Sequence, residues 1–476
     1  MKKDTIFAVS THPGKAAIAI IRVSGPRTAT VLQLMVPTKG RSSAVQLPVP
    51  RQALMTRIVH PSSSTDILDT GLVLWFPGPH SYTGEDMAEF HVHGGTAVVA
   101  SVLTALSQIG GLRMADAGEF SRRAFDNDKM DLTALEGVAD LINAETEAQR
   151  KLAVRQARGE LHEMYERWRV RMVGLMAQIE AYIDFSEEEN IEDGVYEGVC
   201  LAVEGLAVEI AGHLDDRRRG EILRNGVALS IVGPPNSGKS TLLNKLAQRQ
   251  VAIVSPIAGT TRDIVETTLD IDGYPLVVRD TAGLRKSTDI IETEGIRRAL
   301  ESAKSADIRI CMLDAKQVLL GGDAVHGPPE WKELLDLPHT FVVLNKADML
   351  GGSEDRQKEQ MAVDWAKKMG IGNETCLISC SSLFGWDEMM HRLARHIKKT
   401  WEASSSQQMP LTKVRHRQHL QECLAHLQAF KGIDEDMVVL AAEELRKASE
   451  SLGRITGKIG IEDVLDALFS QFCIGK

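Results

Sequence analysis

The sequence predicts a multidomain protein of α/β and α+β class. A doubly wound α/β domain interrupts a central helical domain, and an α+β domain comes first. Three observations carry this. Short apolar runs alternate with helical segments over Gly226–His396, the pattern of a doubly wound parallel sheet. Proline vanishes from Asp131 to about Arg219, where apolar residues recur at helical spacing. After a Ser/Gln-rich linker near Trp401–Pro410, helical periodicity returns over Leu411–Phe472. A length of 476 residues suits two to four domains. The expected boundaries are 1–128, 129–222, 223–396 and 397–476, the second and fourth being halves of one helical domain.

In chain order, β-like runs at Ala16–Val23, Gly71–Phe76 and Ala88–Val92 are separated by Gly/Pro turns. They read as a compact α+β domain. Leu132, Leu135, Val138, Leu141 and Ile142 then set a helical stripe, and two or three long helices are expected. Val227–Val232, Leu276–Val278, Ile308–Leu313, Thr340–Leu344 and Thr375–Ser379 are short apolar runs suited to buried parallel strands.

Composition is that of a globular protein, 43% hydrophobic and 25% charged. The net charge of −10 argues against general nucleic-acid affinity. It is uneven: the first 60 residues hold nine Lys/Arg against Asp4, a net of +8, so the remainder carries −18. The acidic stretch Asp184–Asp193 reads as a solvated loop or helix end. Six cysteines (Cys200, Cys311, Cys376, Cys380, Cys423, Cys473) form no CxxC pair. That fits a reducing cytoplasm and argues against a disulfide or zinc framework. No apolar run approaches the length of a membrane span, and residues 1–20 lack a signal-peptide pattern. A cytoplasmic protein without a membrane partner is expected.

The chemistry concentrates in three motifs. GPPNSGKS at Gly233–Ser240 fits the P-loop, DTAG follows at Asp280–Gly283, and NKAD at Asn345–Asp348. Together they define a guanine-nucleotide site. Backbone N–H groups of Asn236, Ser237, Gly238, Lys239, Ser240 and Thr241 would cradle phosphate oxygens at a helix N-terminus. Lys239 supplies a point charge and Ser240 a hydroxyl to Mg²⁺. Asp280, ahead of Thr281, Ala282 and Gly283, ends an apolar strand and can hold the metal through water. The Asp348 carboxylate can accept two N–H bonds that guanine offers and adenine lacks, and Asn345 and Lys346 would brace that pocket.

Leu284 follows DTAG, where many GTPases carry a water-orienting Gln. Asp289, Glu292 and Glu294 on the polar segment after it are candidates to orient the attacking water instead. Between P-loop and DTAG lie Ser255, Pro256, Ile257, Ala258, Gly259, Thr260, Thr261 and Arg262. A threonine here is expected to reach Mg²⁺, with Thr260 and Thr261 competing, and Arg262 is a candidate arginine finger or docking contact. The Asn236 side chain, with backbone carbonyls from Ser255–Thr260, could hold a monovalent cation that neutralises transition-state charge. His91 and His93 share one strand face with no obvious third metal ligand, so packed or hydrogen-bonded rings are expected. Cys473, in FCIGK, reads as either a core residue or a nucleophile presented to a cleft.

These strings resemble the MnmE (TrmE) family of tRNA-modification GTPases from end to end. The resemblance rests on DTIFA, LWFPGPHSYTGED (Leu74–Asp86), GEFSRRAFDNDKMDL (Gly118–Leu132), GPPNSGKS, IAGTTRD, DTAGLR, NKAD and LGRITG…FSQFCIGK. It implies an N-terminal α+β folate-binding domain, a central helical domain and an inserted Ras-like P-loop GTPase domain. It implies a constitutive homodimer that works with the flavoprotein MnmG (GidA), in a heterotetramer or larger complex, on the wobble uridine of certain tRNAs. There the pair installs an aminomethyl or carboxymethylaminomethyl group at C5, with 5-formyl- or 5,10-methylene-tetrahydrofolate as one-carbon donor.

By motif, the resemblance also implies Mg²⁺ at Ser240 and Thr261, and a stimulating K⁺ at Asn236, Ser255, Ile257 and Thr260. Glu292 would activate water. Arg22, Glu89, Lys129 and Lys476 would contact folate, and Cys473 would take part in uridine modification. Two stretches depart from the family pattern: Ser379-Cys380-Ser381, where a Ser-Ala-Lys-like triplet is usual, and His91-Val-His93 before paired glycines. The rival functional class is a regulatory GTPase switch for ribosome assembly, which would need neither the N-terminal domain nor FCIGK. A nucleotide-gated scaffold, with the chemistry on its partner, is the third.

Overall fold

The computed structural model describes residues 4–37, 47–185, 194–216, 218–249, 252–253, 267–278, 301, 303–320, 334–335, 337–351, 354–371, 374–401, 409–458, 468 and 475. The chain divides into two compact units. One is Met1–Ile142, Val154–Ala207 and His419–Lys476; the other is Asn143–Ala153 and Val208–Gln418.

The first unit holds a six-stranded sheet. Its strands are β1 (Thr5–Val9), β2 (Ile18–Ser24), β3 (Leu54–His60), β4 (Ser63–Phe76), β5 (Met87–His93) and β6 (Leu112–Met114), in the order β3-β4-β5-β2-β1-β6. Only the β1–β6 pair is parallel. Alternation decides which face is buried. Ala19, Ile21 and Val23 of β2 and Ala88, Phe90 and Val92 of β5 point into a core shared with α1 (Thr28–Met35) and α2 (Thr96–Ser107). Arg22 and Glu89 therefore fall on the opposite face, where the register sets them side by side. β4 begins eight residues before the expected Gly71. Its first half, SSTDILDT, is polar and mostly exposed, so backbone pairing with β3 and not an apolar pattern makes it a strand.

Helices α3 (Glu119–Asp126), α4 (Leu132–Ile142), α5 (Glu147–Ala157), α6 (Glu160–Phe185) and α7 (Val195–Leu214) follow. Of the four that begin between Asp131 and Leu214, two are long, at 26 and 20 residues. After Gly159, which lies in the left-handed region at φ +88°, α6 starts a new helix.

The second unit carries a seven-stranded sheet: β7 (Val227–Val232), β8 (Ala252–Ile253), β9 (Thr267–Ile271), β10 (Tyr274–Val278), β11 (Ile308–Asp314), β12 (Thr340–Asn345) and β13 (Thr375–Leu377). The order is β13-β12-β11-β7-β10-β9-β8. The five strands from β13 to β10 are parallel, as expected, whereas β9 and β8 add an antiparallel edge that the sequence reading lacked. β7, β11 and β12 are buried along their whole length. Helices of this unit include α8 (Arg219–Asn225), α9 (Lys239–Arg249), α10 (Ala315–Leu320), α11 (Asp355–Lys368) and α12 (Trp386–Trp401). α12 buries Trp386, Met389, Leu393, Ile397 and Trp401, one stripe at helical spacing. β7 has β10 on one side and β11 on the other, so strand order reverses there. The crevice beyond its carboxyl end is where ligands bind in open α/β sheets.

α13 (Val414–Lys431) and α14 (Val438–Thr456) complete the described helices. α14 buries Ala441, Leu445, Ala448, Leu452 and Ile455 and packs along α6 in the first unit.

Candidate nucleotide site

The P-loop leaves β7 at Val232 and returns as α9. Glycine is required twice for space. A β-carbon at Gly233 would lie 2.1 Å from the Met312 carbonyl oxygen. At Gly238, with φ +106°, it would lie 2.2 Å from Asn345 Nδ2. Asn236 sits in the left-handed region at φ 60°, which Asn tolerates better than most residues. The N–H groups of Lys239, Ser240 and Thr241 belong to the first turn of α9 and have no intrahelical acceptor. Lys239, expected over phosphates, instead donates to the Gly233 and Pro234 carbonyls, 2.8 Å each. Burial lowers its pKa, and a half-buried ammonium takes the nearest acceptors, so phosphate oxygens would have to displace these.

NKAD follows the carboxyl end of β12. Asn345, 3% exposed, donates from Nδ2 to the Ser237 carbonyl (2.9 Å) and accepts the Cys380 N–H on Oδ1 (3.0 Å). It thereby ties the phosphate loop to the Ser379–Ser382 turn. Lys346 Nζ pairs with Asp314 Oδ2 at 2.7 Å. The exposed Asp348 carboxylate accepts from Ser379 Oγ at 2.6 Å, and this bond holds its pKa below the usual carboxylate value. Ser379 Oγ also lies 2.9 Å from Ser381 Oγ and accepts the Ser382 N–H at 3.1 Å. The Ser379 hydroxyl, in the place where the family triplet also has Ser, thus supports the Asp348 carboxylate, and Ser381, which departs from the triplet, adds a second hydroxyl beside it.

A cleft of about 490 Å³ runs between the two loops, lined at one end by Asn236, Lys239 and Ser240 and at the other by Asp348 and Ser381. Ser255, Pro256, Ile257, Ala258, Gly259, Thr260, Thr261, Asp280, Thr281, Ala282, Gly283, Glu292, Cys473 and Lys476 lie outside the described residues. Among the described residues, no group of three His, Cys, Asp or Glu could hold a metal ion. Ser240, at the P-loop end of the cleft, offers a hydroxyl of the kind Mg²⁺ takes beside phosphate.

Sequence reasoning missed Asp314. It closes β11, caps α10 by accepting the Lys316 N–H on Oδ1 (3.0 Å), and pairs with Lys346. An Asp at a strand-to-helix junction is a readable cap signal; its lysine partner is not.

In the first unit, Arg22 donates to Glu89 Oε1 from Nε (3.1 Å) and NH2 (2.9 Å). Its guanidinium lies over the Tyr82 and Phe120 rings, 5.4 and 5.8 Å from their centroids. The Lys129 stem packs over Gly84, two residues from Tyr82. Arg22, Glu89 and Lys129 therefore gather about the Tyr82–Gly84 loop. That loop is fixed by a half-buried network: Ser24 Oγ bonds Thr83 Oγ1 (2.7 Å) and Glu85 (2.9 Å), and Arg123 donates to Glu85 (2.9 Å) and Glu119 (3.0 Å). The Gly475 carbonyl joins the cluster, accepting from Ser10 Oγ (2.9 Å) and Arg22 NH1 (3.3 Å). His93 Nδ1 is hydrogen-bonded by Asp69 at 2.9 Å.

A phosphate cradle and a serine-supported carboxylate at the two ends of one cleft make this a guanine-nucleotide-binding protein of the P-loop class. Residues 5–129 match the family described as GTP-binding protein TrmE N-terminus, and residues 132–473 that described as MnmE helical domain. The tRNA modification GTPase MnmE of Rhodospirillum rubrum is 44% identical over 100% of both chains. That of Parvibaculum lavamentivorans is 45% identical over 99% of this chain and 100% of its own. The mitochondrial 5-taurinomethyluridine-tRNA synthase subunit GTPB3 of Danio rerio is 44% identical over 99% of this chain and 93% of its own. The chain belongs to the MnmE (TrmE) family of tRNA-modification GTPases. No described helix is long and apolar enough to cross a membrane.

Proposed function

We propose that the chain binds GTP in the cleft between P-loop and NKAD, hydrolyses it to GDP and phosphate, and acts through that cycle in modifying C5 of the wobble uridine of certain tRNAs. The observation that carries the reading is Asn345, which hydrogen-bonds both loops of the cleft and so couples base to phosphate recognition. Asp348 selects guanine, Lys239 meets the β- and γ-phosphates, and Glu292 directs the attacking water in place of a Gln at Leu284. Mg²⁺ on Ser240 and Thr261 would supply positive charge to the phosphate oxygens. Potassium on Asn236 and the Ser255, Ile257 and Thr260 backbone would add more and stimulate turnover. The cluster of Arg22, Glu89 and Lys129, with Lys476, would take the tetrahydrofolate one-carbon donor, and the Tyr82 and Phe120 rings suit a flat pterin. Cys473 would act on the uridine. The domains are 1–128, 129–222, 223–396 and 397–476. The working assembly is a cytoplasmic homodimer joined to the flavoprotein MnmG (GidA) and tRNA.

Mass spectrometry of wobble uridines, in cells with and without this gene, tests the reading. Loss of the C5 substituent, restored by the wild-type gene and not by Lys239→Ala, is expected. An unchanged uridine profile in the deletion would sink it and favour the regulatory switch.

A further inference from the structure

At the opposite ends of the strands that carry Asp314 and Asn345 lies a second cavity, of about 550 Å³. β11 has Arg309 near its start and Asp314 at its end, and β12 begins directly after His339. The two cavities are thus a strand length apart, roughly 15–20 Å.

Among the described residues, Arg219, Arg309 and Lys399 face a single carboxylate in this cavity, so positive charge is in excess. Arg309 is 7% exposed, and its guanidinium donates to the carbonyls of Ala303, Lys304, Ala306 and Pro338, none of which carries a full negative charge. Arg219 of α8 has its Nε buried without a hydrogen-bond partner. Neither Arg219 nor Lys399 of α12 forms an ion pair among the described residues. Among the described residues the wall holds a single carboxylate, Asp307, which accepts the Ala228 N–H at 2.8 Å. His339 and His396 hydrogen-bond each other at 2.9 Å, so at least one ring nitrogen of the pair acts as acceptor. Trp401 closes the wall, its ring 5.5 Å from that of His339.

A buried Arg nitrogen without an acceptor is costly, and an excess of cations over carboxylates in a recess calls for an anion. The Trp and His rings call for a flat group beside it. We propose that this cavity binds a small phosphorylated molecule with an aromatic ring, its phosphate on Arg219 and Lys399 and its ring against Trp401 and the His339–His396 pair. The volume falls within the usual range for small-molecule sites. α8 leads the chain into the nucleotide-binding sheet and α12 leads it out, so an occupant would fasten those two helices together.

The test uses the full chain saturated with GDP, so that the P-loop cannot take the probe. Phenyl phosphate is titrated calorimetrically, with inorganic phosphate and benzyl alcohol in parallel. Saturable binding of one phenyl phosphate per chain is expected, tighter than inorganic phosphate, with none for the uncharged alcohol. Arg219→Gln and Lys399→Gln should each weaken it about 10-fold or more, since each removes a charged hydrogen bond. Lys367→Gln, on the exposed face of α11, should leave it unchanged. Retained GDP affinity in each variant shows that the unit is folded. Absence of saturable binding to the wild type, or equal binding to Arg219→Gln and Lys399→Gln, overturns the proposal.

Discussion

Asn345 Nδ2 meets the Ser237 carbonyl oxygen at 2.9 Å across 108 residues of sequence. The same side chain accepts the Cys380 N–H, so one buried amide registers three segments. Asn345→Ala would remove both bonds and leave the Cys380 N–H unsatisfied in a buried turn. The cost should be about 2–4 kcal/mol, shared between stability and nucleotide affinity. Thermal unfolding with and without GDP measures both parts. A variant as stable and as tight as wild type would show that the amide is not the link.

Gly238 tolerates no side chain for two independent reasons. Its φ is +106°, and an added β-carbon would stand 2.2 Å from Asn345 Nδ2. Gly238→Ala should lower nucleotide affinity by about 10-fold or more, since relieving the clash moves either the phosphate loop or Asn345. Gly205→Ala is the contrast. It lies inside α7 with nothing within 4 Å of the added carbon, and should stabilise the protein by about 0.5–1 kcal/mol. If both substitutions prove equally harmless in titration and melting, the close-approach argument fails.

Asp314 has separable duties. Asp314→Asn keeps a cap acceptor for α10 but removes the charge facing Lys346. GTP affinity should fall about 3–10-fold with little change in melting, because the pair is partly exposed. Asp314→Ala should lose the cap as well, about 1 kcal/mol of stability. Identical behaviour of the two variants would mean that the charge does nothing to position Lys346.

Asp348→Asn replaces a carboxylate that can accept two N–H bonds from guanine with a group that also donates. Charged hydrogen bonds of about 1.5–3 kcal/mol give roughly 10–150-fold weaker GTP binding. Since Ser379 Oγ already donates to Asp348, Ser379→Ala should weaken GTP in the same direction by less. GTP affinity unchanged by Asp348→Asn would remove the residue from the base pocket.

Burial holds the pKa of both His339 and His396 below the ordinary value of 6.5. Arg309 pushes His339 further down while Asp307 pulls it up, and His339 and Lys399 push His396 further down. The folded chain therefore keeps these rings neutral at a pH where the unfolded chain has protonated them. Their contribution to stability should be intact above about pH 6.5 and decline as pH falls through 6.5 toward the lowered folded values. His162, whose pKa is raised chiefly by the Asp131 carboxylate 3.2 Å from its Nδ1, acts with the opposite sign. The useful quantity is thus the difference between wild type and His396→Gln, from melting curves at pH 5–8 in phosphate-free buffer. A difference that does not vary with pH would exclude the pair as the source.

The central strands are legible because burial on both faces leaves mostly apolar runs, interrupted only by Ser230 in β7 and Arg309 in the Ile308–Leu313 run: Val227–Val232 matches β7 at both ends, and β11 and β12 each extend one residue beyond the apolar run. β9 is not, because TTLDI shares its polar content with ordinary loops and is a strand only by pairing with β10. The P-loop and NKAD were legible as strings, but the Asn345 bridge and the Asp314–Lys346 pair arise from strands brought together by the fold. Arg22 and Glu89 came from family likeness alone. Their pairing follows from a β2–β5 register that alternation restricts and sequence does not number.

Ser10 and Gly475 touch across a separation of 465 residues. During synthesis the N-terminal sheet emerges first, with the Arg22 side chain already beside Glu89 but still without the Gly475 carbonyl. That acceptor arrives only after the whole nucleotide-binding region has been translated. A nascent chain stalled midway would thus present an N-terminal sheet that is folded yet lacks its last ligand, which a ribosome-arrested intermediate probed by limited proteolysis would reveal.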